Sequence, residues 1–328
     1  MTQHLTPDAS TLPTMQQAVL AWFRQHARDL PWRTTRDPYQ ILVAEMMLQQ
    51  TQVERVVPKY HAFLEAFPTL SHLAEAATAD VIRLWAGLGY NRRAVNLQRI
   101  ARLIVSNYGG EFPRSVAALQ QLPGIGAYTA GAIACFAFEQ DVAFLDTNIR
   151  RVIRRAWVAP EDMPPPTPDR VLQQLGAELV PAGQGWYWNQ AIMELGALRC
   201  TARAPTCWQC PLQHHCRSYA EWRTRDEQLF AAPDGIAAYP RADQPPRRRA
   251  AERPETPFVG SNRYYRGRVV DLLRALPPDT HLPITQLGVQ LKPTFAADTE
   301  QAWLERLLHG LHRDGLIVVA DGEVQLPR

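Results

Sequence analysis

Leu122-Pro123-Gly124-Ile125-Gly126 is the stretch that decides the fold of this 328-residue chain. It interrupts two segments with helical apolar spacing, 115–121 and 126–138. Two glycines two residues apart let the backbone turn sharply and come close to another group. The helix that follows opens with unpaired N–H groups and the positive end of its dipole, which together make an anion site. Read functionally, this is a hairpin between helices that clamps a DNA phosphate; read plainly, it is an ordinary inter-helix turn.

Working outward, the same 3.6-residue periodicity recurs at 14–28, 38–52, 58–66, 80–85, 91–108, 147–157, 168–180 and 186–198. No convincing alternating strand pattern breaks it before about residue 220. The expected class is mainly α: a helical core over 14–225. Residues 226–257, which include Pro245-Pro246-Arg247-Arg248-Arg249, read as a Pro/Arg-rich linker. Beyond it, 258–328 should hold helices at 264–275, 284–291 and 300–314, then a hairpin over 317–326 turning at Asp321-Gly322. Three helices and a hairpin is the order of a winged-helix-like α+β module.

Composition excludes several classes. Hydrophobic residues are 46% and charged residues 20%, which suits a packed protein and not a disordered one. No apolar run is long enough for a bilayer span, and the N-terminal residues lack the pattern of a secretory signal. A cytoplasmic location is the expectation. The net charge of +3 names no partner by itself. Only Lys59 and Lys292 are lysines, so the other cations are arginines, which suit bidentate phosphate contacts.

Three further features carry chemistry. Cys200, Cys207, Cys210 and Cys216 are spaced C-x6-C-x2-C-x5-C, close enough for four thiolates to hold an iron–sulfur cluster or a tetrahedral zinc, with His214 and His215 as alternative zinc ligands. Cys135, alone in an apolar stretch, reads as inert core. Glu45 sits in Ile41-Leu42-Val43-Ala44-Glu45-Met46-Met47-Leu48, where desolvation would keep a carboxyl protonated near neutral pH, as a general acid requires. Its plain alternative is a structural carboxylate paired with an arginine. Asp146 precedes a helix, so a helix N-cap is the plain alternative to a catalytic role.

Taken together, in this order and spacing, residues from about 16 to 219 closely resemble the endonuclease III superfamily of helix-hairpin-helix DNA glycosylases, and within it the A/G-specific adenine DNA glycosylases. Leu30-Pro31-Trp32-Arg33, the run from Glu45 to Val53, Gly87-Leu88-Gly89-Tyr90, the hairpin, Leu145-Asp146-Thr147-Asn148 and the four cysteines carry the resemblance. It implies a two-lobed core with a [4Fe-4S] loop at 200–216, held by Cys200, Cys207, Cys210 and Cys216. The implied activity is excision of adenine mispaired with guanine or 8-oxoguanine, in base-excision repair, by a nucleoid-associated protein acting as a monomer on double-stranded DNA.

The resemblance also assigns roles. Glu45 would protonate the adenine ring and Asp146 would stabilise the oxocarbenium-like sugar, two carboxyls in different environments dividing the work. Tyr128 and Asn148 would support them. Arg28, Trp32, Leu48 and Gln190 would line the pocket for the flipped adenine. Gln50, Leu88 and Tyr90 match intercalating positions, with Thr51 beside them and Gly124, Ile125 and Gly126 on the phosphate. Where bifunctional relatives carry a Schiff-base lysine this chain has Tyr128, so it should leave an abasic site without cutting the strand. Arg150, Arg151, Arg154 and Arg155 form two i, i+4 pairs that either meet phosphates or make a solvated face.

The departure is in the last third. Well-known adenine glycosylases carry a Nudix-like domain there, and the segment after the linker is too short for it, which puts the opposite-base preference in doubt. Two rivals remain at this point: a thymine or uracil glycosylase acting opposite guanine, and a non-enzymatic DNA-binding protein with a zinc site.

Overall fold

The computed structural model describes residues 9–159, 167–230 and 258–328. In chain order its helices are α1 (Leu12–His26), α2 (Pro38–Leu48), α3 (Val53–Ala66), α4 (Leu70–Glu75), α5 (Thr78–Leu84), α6 (Arg92–Tyr108), α7 (Val116–Leu119), α8 (Ala127–Phe136) and α9 (Thr147–Ile153). They continue with α10 (Asp169–Leu179), α11 (Gly185–Leu198), α12 (Arg217–Phe230), α13 (Asn262–Ala275), α14 (Ile284–Leu291) and α15 (Ala297–Arg313). Strands β1 (Leu282–Pro283), β2 (Val318–Ala320) and β3 (Glu323–Gln325) are confined to the C-terminal module among the described residues. The fold is mainly helical, as the periodicity predicts. None of the described helices is long and apolar enough to cross a membrane.

The chain divides into two compact units. One combines the described residues up to Arg36 with those from Gly126 to the end of α12; the other combines Asp37–Ile125 with the C-terminal module. In the first, α11 packs on α1 and α9, while α12 packs on a π-helical turn, Arg154–Val158, that continues α9. Trp188, Ile192 and Leu195 of α11 are buried in its core.

In the second unit, α2 is a central helix. Asp37 caps it by accepting from Tyr39 N–H at 2.8 Å, as aspartate commonly does at this position. Pro38 takes the first-turn position that its missing N–H tolerates. Residues 41–47 are all buried, so α2 is apolar nearly all round, as a core helix should be. It ends at Leu48, short of the expected 52. Gln50 takes the left-handed conformation, with φ 56°, and so breaks the helical ladder. Helix α3 starts at Val53 and runs through Pro58. Helix α12 continues to Phe230, past the expected start of the linker at 226, and the remainder of that linker, with its arginine run, lies outside the described residues.

The C-terminal module has the expected order, with one addition: β1 pairs antiparallel with β3, giving a three-stranded sheet ordered β1-β3-β2. Among the described residues, the module's buried core is continuous with that of the segment 37–125, with which it forms one unit. Ile82 of α5 and Val95 of α6 are buried in the same cluster as Val269, Val270, Leu273, Leu304, Leu308 and Val324. Ala79 N–H donates to Pro327 O at 2.8 Å across the same junction. Leu308→Ala should therefore cost roughly 2–5 kcal/mol. Because the core is shared, urea unfolding of this variant should remain a single transition for Trp85 and Trp303 alike; separate transitions would mean the module is independent.

Candidate active site

Glu45 lies on the buried helix α2 and is 5% exposed. What fixes the end of that helix is Arg93 of α6. Its Nη1 donates to three carbonyls at the C-terminal end of α2, Met46 O (2.8 Å), Met47 O (3.0 Å) and Gln49 O (2.5 Å). Its Nη2 donates to Thr51 Oγ1 (3.2 Å), Leu88 O (2.9 Å) and Gly89 O (3.0 Å). Free carbonyls and the negative dipole end at a helix C-terminus favour a cation there. The guanidinium also lies over the ring of Trp85 at 5.5 Å and over that of Tyr90 at 5.6 Å, within the range of cation–π attraction. Burial lowers the pKa of Arg93 to about 10, which leaves it charged at neutral pH.

One arginine thus ties the Glu45 helix to both segments expected to enter DNA, 50–51 and 88–90. Gln50 and Tyr90 are both non-glycine residues with positive φ, 56° and 46°, a conformation that persists only where the surroundings over-determine it. Tyr90 is 51% exposed and Gln50 is exposed, whereas Leu88 is buried beneath the loop. Of the three expected intercalation positions, Tyr90 and Gln50 face the outside and Leu88 lies beneath the loop. Leu48 and Thr51 are half-buried next to them.

The hairpin turns at Gly124 (φ 82°), a conformation that favours glycine, and a Cβ there would come within 2.9 Å of Asn96 Nδ2, whose side chain would have to shift. Ile125 N–H donates to Leu122 O at 3.2 Å and Ile125 is buried. Gly126 is the N-cap of α8 with no side chain capping the helix, and Gly126 and Ala127 are exposed. The amides at this end are placed for an external anion.

Asp146 is the N-cap of α9, its Oδ1 accepting from Ile149 N–H at 2.6 Å. Burial raises its pKa above the usual 3.8, against backbone hydrogen bonds from Ile149 and Asn148 and the charge of Arg151, a case of desolvation outweighing local donors. Asn148 is held by Arg151 Nη2 at 2.7 Å, and Gly196 gives it room, since a Cβ there would lie 2.7 Å from Asn148 Cβ. Tyr128 meets Phe144 edge-on, with ring centroids 5.4 Å apart.

Of the four expected pocket residues, Arg28, Trp32 and Gln190 gather in the first unit and Leu48 stands in the second. Their organiser is Glu194 of α11, a buried carboxylate absent from the expected set. Arg28 donates to it through Nε (2.8 Å), Nη2 (2.9 Å) and its backbone N–H (2.9 Å), and Arg33 donates through Nη2 (2.7 Å). Arg33 Nε also donates to Gln190 Oε1 at 2.9 Å, fixing which end of that amide is the acceptor. Trp32 is buried in the turn between the two arginines. Glu194 interrupts Ile192-Met193-Glu194-Leu195, the same carboxylate-in-apolar-helix pattern that picks out Glu45.

Arg151 and Arg155 do not form a fully solvated face. The helix α9 and its π-helical continuation turn them onto the cysteine loop, Arg151 Nε donating to Cys200 O (2.7 Å) and Arg155 to Thr201 O (2.7 Å) and Ala202 O (3.1 Å). Arg150 pairs with Asp169. Cys200, Cys207, Cys210 and Cys216 are half-buried and in no disulfide. Burial and their mutual proximity raise the thiols of Cys210 and Cys216 to about 12 and about 11, against N–H donors from Leu212 and from Ser218 and Tyr219. Four neighbouring sulfurs, two of which receive backbone N–H groups while Cys200 Sγ lies 3.6 Å from Arg155 Nη1, are a donor set that fits an iron–sulfur cluster. No group of three or more ligating side chains among the described residues is arranged for a single metal ion. Cys135 is fully buried, as expected of core, with Asn189 Nδ2 3.4 Å from its sulfur.

The two arginines hold the Glu194 carboxyl down at about 2, against its burial. A carboxyl with a depressed folded-state pKa stabilises the fold above its unfolded pKa and loses that stabilisation as pH falls through the folded one. The effect is on the order of 3 kcal/mol. Glu194→Gln should lower the thermal midpoint near neutral pH, and the gap to the unchanged protein should close as pH falls from about 4.5 toward 2. A gap that is constant with pH would remove the ionised carboxylate from this role.

A family model described as HhH-GPD superfamily base excision DNA repair protein matches residues 43–181. The adenine DNA glycosylase of Mycolicibacterium smegmatis is 41% identical over 310 residues, spanning 94% of this chain and 94% of that protein. That of Mycobacterium tuberculosis is 39% identical over 311 residues, 94% of this chain and 92% of that protein, so these matches take in the C-terminal module. The human adenine DNA glycosylase is 42% identical over 238 residues, 70% of this chain and 43% of that protein. Among solved structures, a thermostable thymine-DNA glycosylase is similar at TM-score 0.61 and 31% identity, over 65% of this chain and 100% of that one. A non-covalent endonuclease III–DNA complex is similar in fold, at TM-score 0.57 and 22% identity, over 67% of this chain and 100% of that one. On the identity and coverage of these relatives, the chain belongs to the adenine DNA glycosylases, base-excision repair enzymes of the helix-hairpin-helix superfamily.

Proposed function

We propose that the enzyme binds duplex DNA, extrudes an adenine mispaired with guanine or 8-oxoguanine, and hydrolyses its N-glycosidic bond without cutting the strand. The observation that carries this reading is Glu45, a carboxyl buried on an apolar helix whose end is pinned to the exposed Tyr90 loop. Glu45 gives its proton to the adenine ring, the N-glycosidic bond breaks, and the base leaves neutral. Asp146 stabilises the positive charge left on the sugar, and water adds at the anomeric carbon, its proton returning to the Glu45 carboxylate. Asn148, fixed by Arg151, and Tyr128 support Asp146. The hairpin amides take a phosphate, as a helix N-terminus does. Strand cutting through a Schiff base needs a nucleophilic amine. Tyr128 stands after the hairpin instead, and the two lysines, Lys59 and Lys292, lie far from it in sequence.

The same reading assigns a [4Fe-4S] cluster to Cys200, Cys207, Cys210 and Cys216. When bound it would brace the loop that Arg151 and Arg155 already hold.

A second reading, removal of thymine or uracil opposite guanine, draws on the thymine-DNA glycosylase likeness. Base release measured by alkaline nicking on A:G, A:8-oxoguanine, T:G and U:G duplexes separates the two. Release from the A-containing duplexes only is expected, with Glu45→Gln abolishing it while duplex binding persists. The acid limb of the pH–rate profile should lie above the ordinary carboxyl range, because protonating Asp146 ends its support of the sugar cation and its pKa is raised. Release from T:G alone, or full activity of Glu45→Gln, would overturn the assignment.

A further inference from the structure

Tyr90 is a strained residue, at φ 46°, in a reversal whose other positive-φ residues, Gly87 (86°) and Gly89 (69°), adopt that conformation freely. Such a conformation needs support from more than one side. Arg93 supplies one side, through Leu88 O and Gly89 O. The other side comes from the C-terminal module. Arg274, on α13, extends a nearly buried side chain to the lobe: Nη2 donates to Asn91 Oδ1 at 2.7 Å and Nε to Ile82 O at 3.0 Å. Its remaining nitrogen is held by Asp271 of its own helix at 2.9 Å, which aims the guanidinium.

Asn91 is the residue after Tyr90 and the N-cap of α6. An asparagine there ordinarily turns its side-chain oxygen onto the helix's own free N–H groups. This one does not cap; its oxygen is committed to Arg274. The module cannot drift from that contact, because α13 shares its buried core with Ile82 and Val95, one on each side of the loop. Arg92, on the other flank of Asn91, meets Asp314 of the module at 3.7 Å, and Asp314 also holds Arg266.

We infer that the C-terminal module acts as a brace for base extrusion, with Arg274 a positioning residue that holds the Tyr90 loop in its strained form through Asn91. The inference rests on the reading of Tyr90 as an intercalating side chain. It gives the module a role that needs no DNA contact of its own. Without the brace, Asn91 can turn back to cap α6 and the loop can relax, so extrusion slows while the rest of the site is intact.

The test uses the full-length protein with Arg274→Ala and Asn91→Ala. The second removes only the acceptor and leaves Arg274 and the shared core in place. Three readouts are needed: the fluorescence rise of 2-aminopurine opposite guanine on binding, single-turnover adenine release from A:G, and affinity for a duplex carrying a tetrahydrofuran abasic analogue, which needs no extrusion. Both variants should lose at least tenfold in the rate of the fluorescence rise and of adenine release, with tetrahydrofuran affinity and thermal midpoint unchanged in Asn91→Ala. Arg274→Lys, which can make only part of the contact, should recover some of the rate. Unaltered extrusion in a folded Asn91→Ala protein would overturn the inference, as would an equal loss of tetrahydrofuran affinity, which marks a merely structural role. Failure of the unchanged protein to release adenine would instead count against the proposed function.

Discussion

The guanidinium of Arg93 closes the end of one helix and the underside of one loop with the N–H groups of its two terminal nitrogens. A helix C-terminus leaves carbonyls without intrahelical partners, and a chain reversal built on left-handed residues leaves more. In this protein both sets face the same point, and a single buried cation satisfies them. A neutral amide could answer one or two of these acceptors. A planar fork with a fixed charge answers all five carbonyls and Thr51 besides. The position of Glu45, on the last turns of α2, and the shape of the Tyr90 loop therefore depend on one side chain.

The other unit uses the inverse arrangement. There a buried carboxylate, Glu194, collects two arginines, and one of them orients Gln190. In both places a buried charge is held among several hydrogen-bond partners, the condition under which it can be kept inside without a large desolvation penalty. Each such centre converts loose polar side chains into a fixed constellation, which a site for base recognition requires. The C-terminal module extends the same logic, since Arg274 and the shared core tie it to the lobe that carries Glu45.

The helical class was legible because apolar spacing reports burial directly, and the order of the C-terminal module because its turn residues are distinctive. The hairpin and the cap at Asp146 were legible for the same reason: glycine, proline and aspartate act locally. What the sequence does not display is where an arginine's head goes. Arg33, Arg93, Arg151, Arg155 and Arg274 all turn inward, yet nothing in spacing distinguishes them from the surface arginines of an arginine-rich chain. The π-helical turn that carries Arg155 leaves no compositional mark. Leu88 shows the converse, an apolar residue assigned outward by resemblance and folded inward beneath its loop. Glu194 was within reach, because it carries the same apolar setting as Glu45.

Adenine excision depends on Arg93 holding the Glu45 helix and the Tyr90 loop together. Single-turnover release of adenine from an A:G duplex by Arg93→Lys tests it most directly. A point charge on a flexible stem cannot serve both sets of carbonyls, so the rate should fall at least tenfold in a protein whose helical circular dichroism is unchanged. A folded Arg93→Lys protein that releases adenine at the full rate would contradict it.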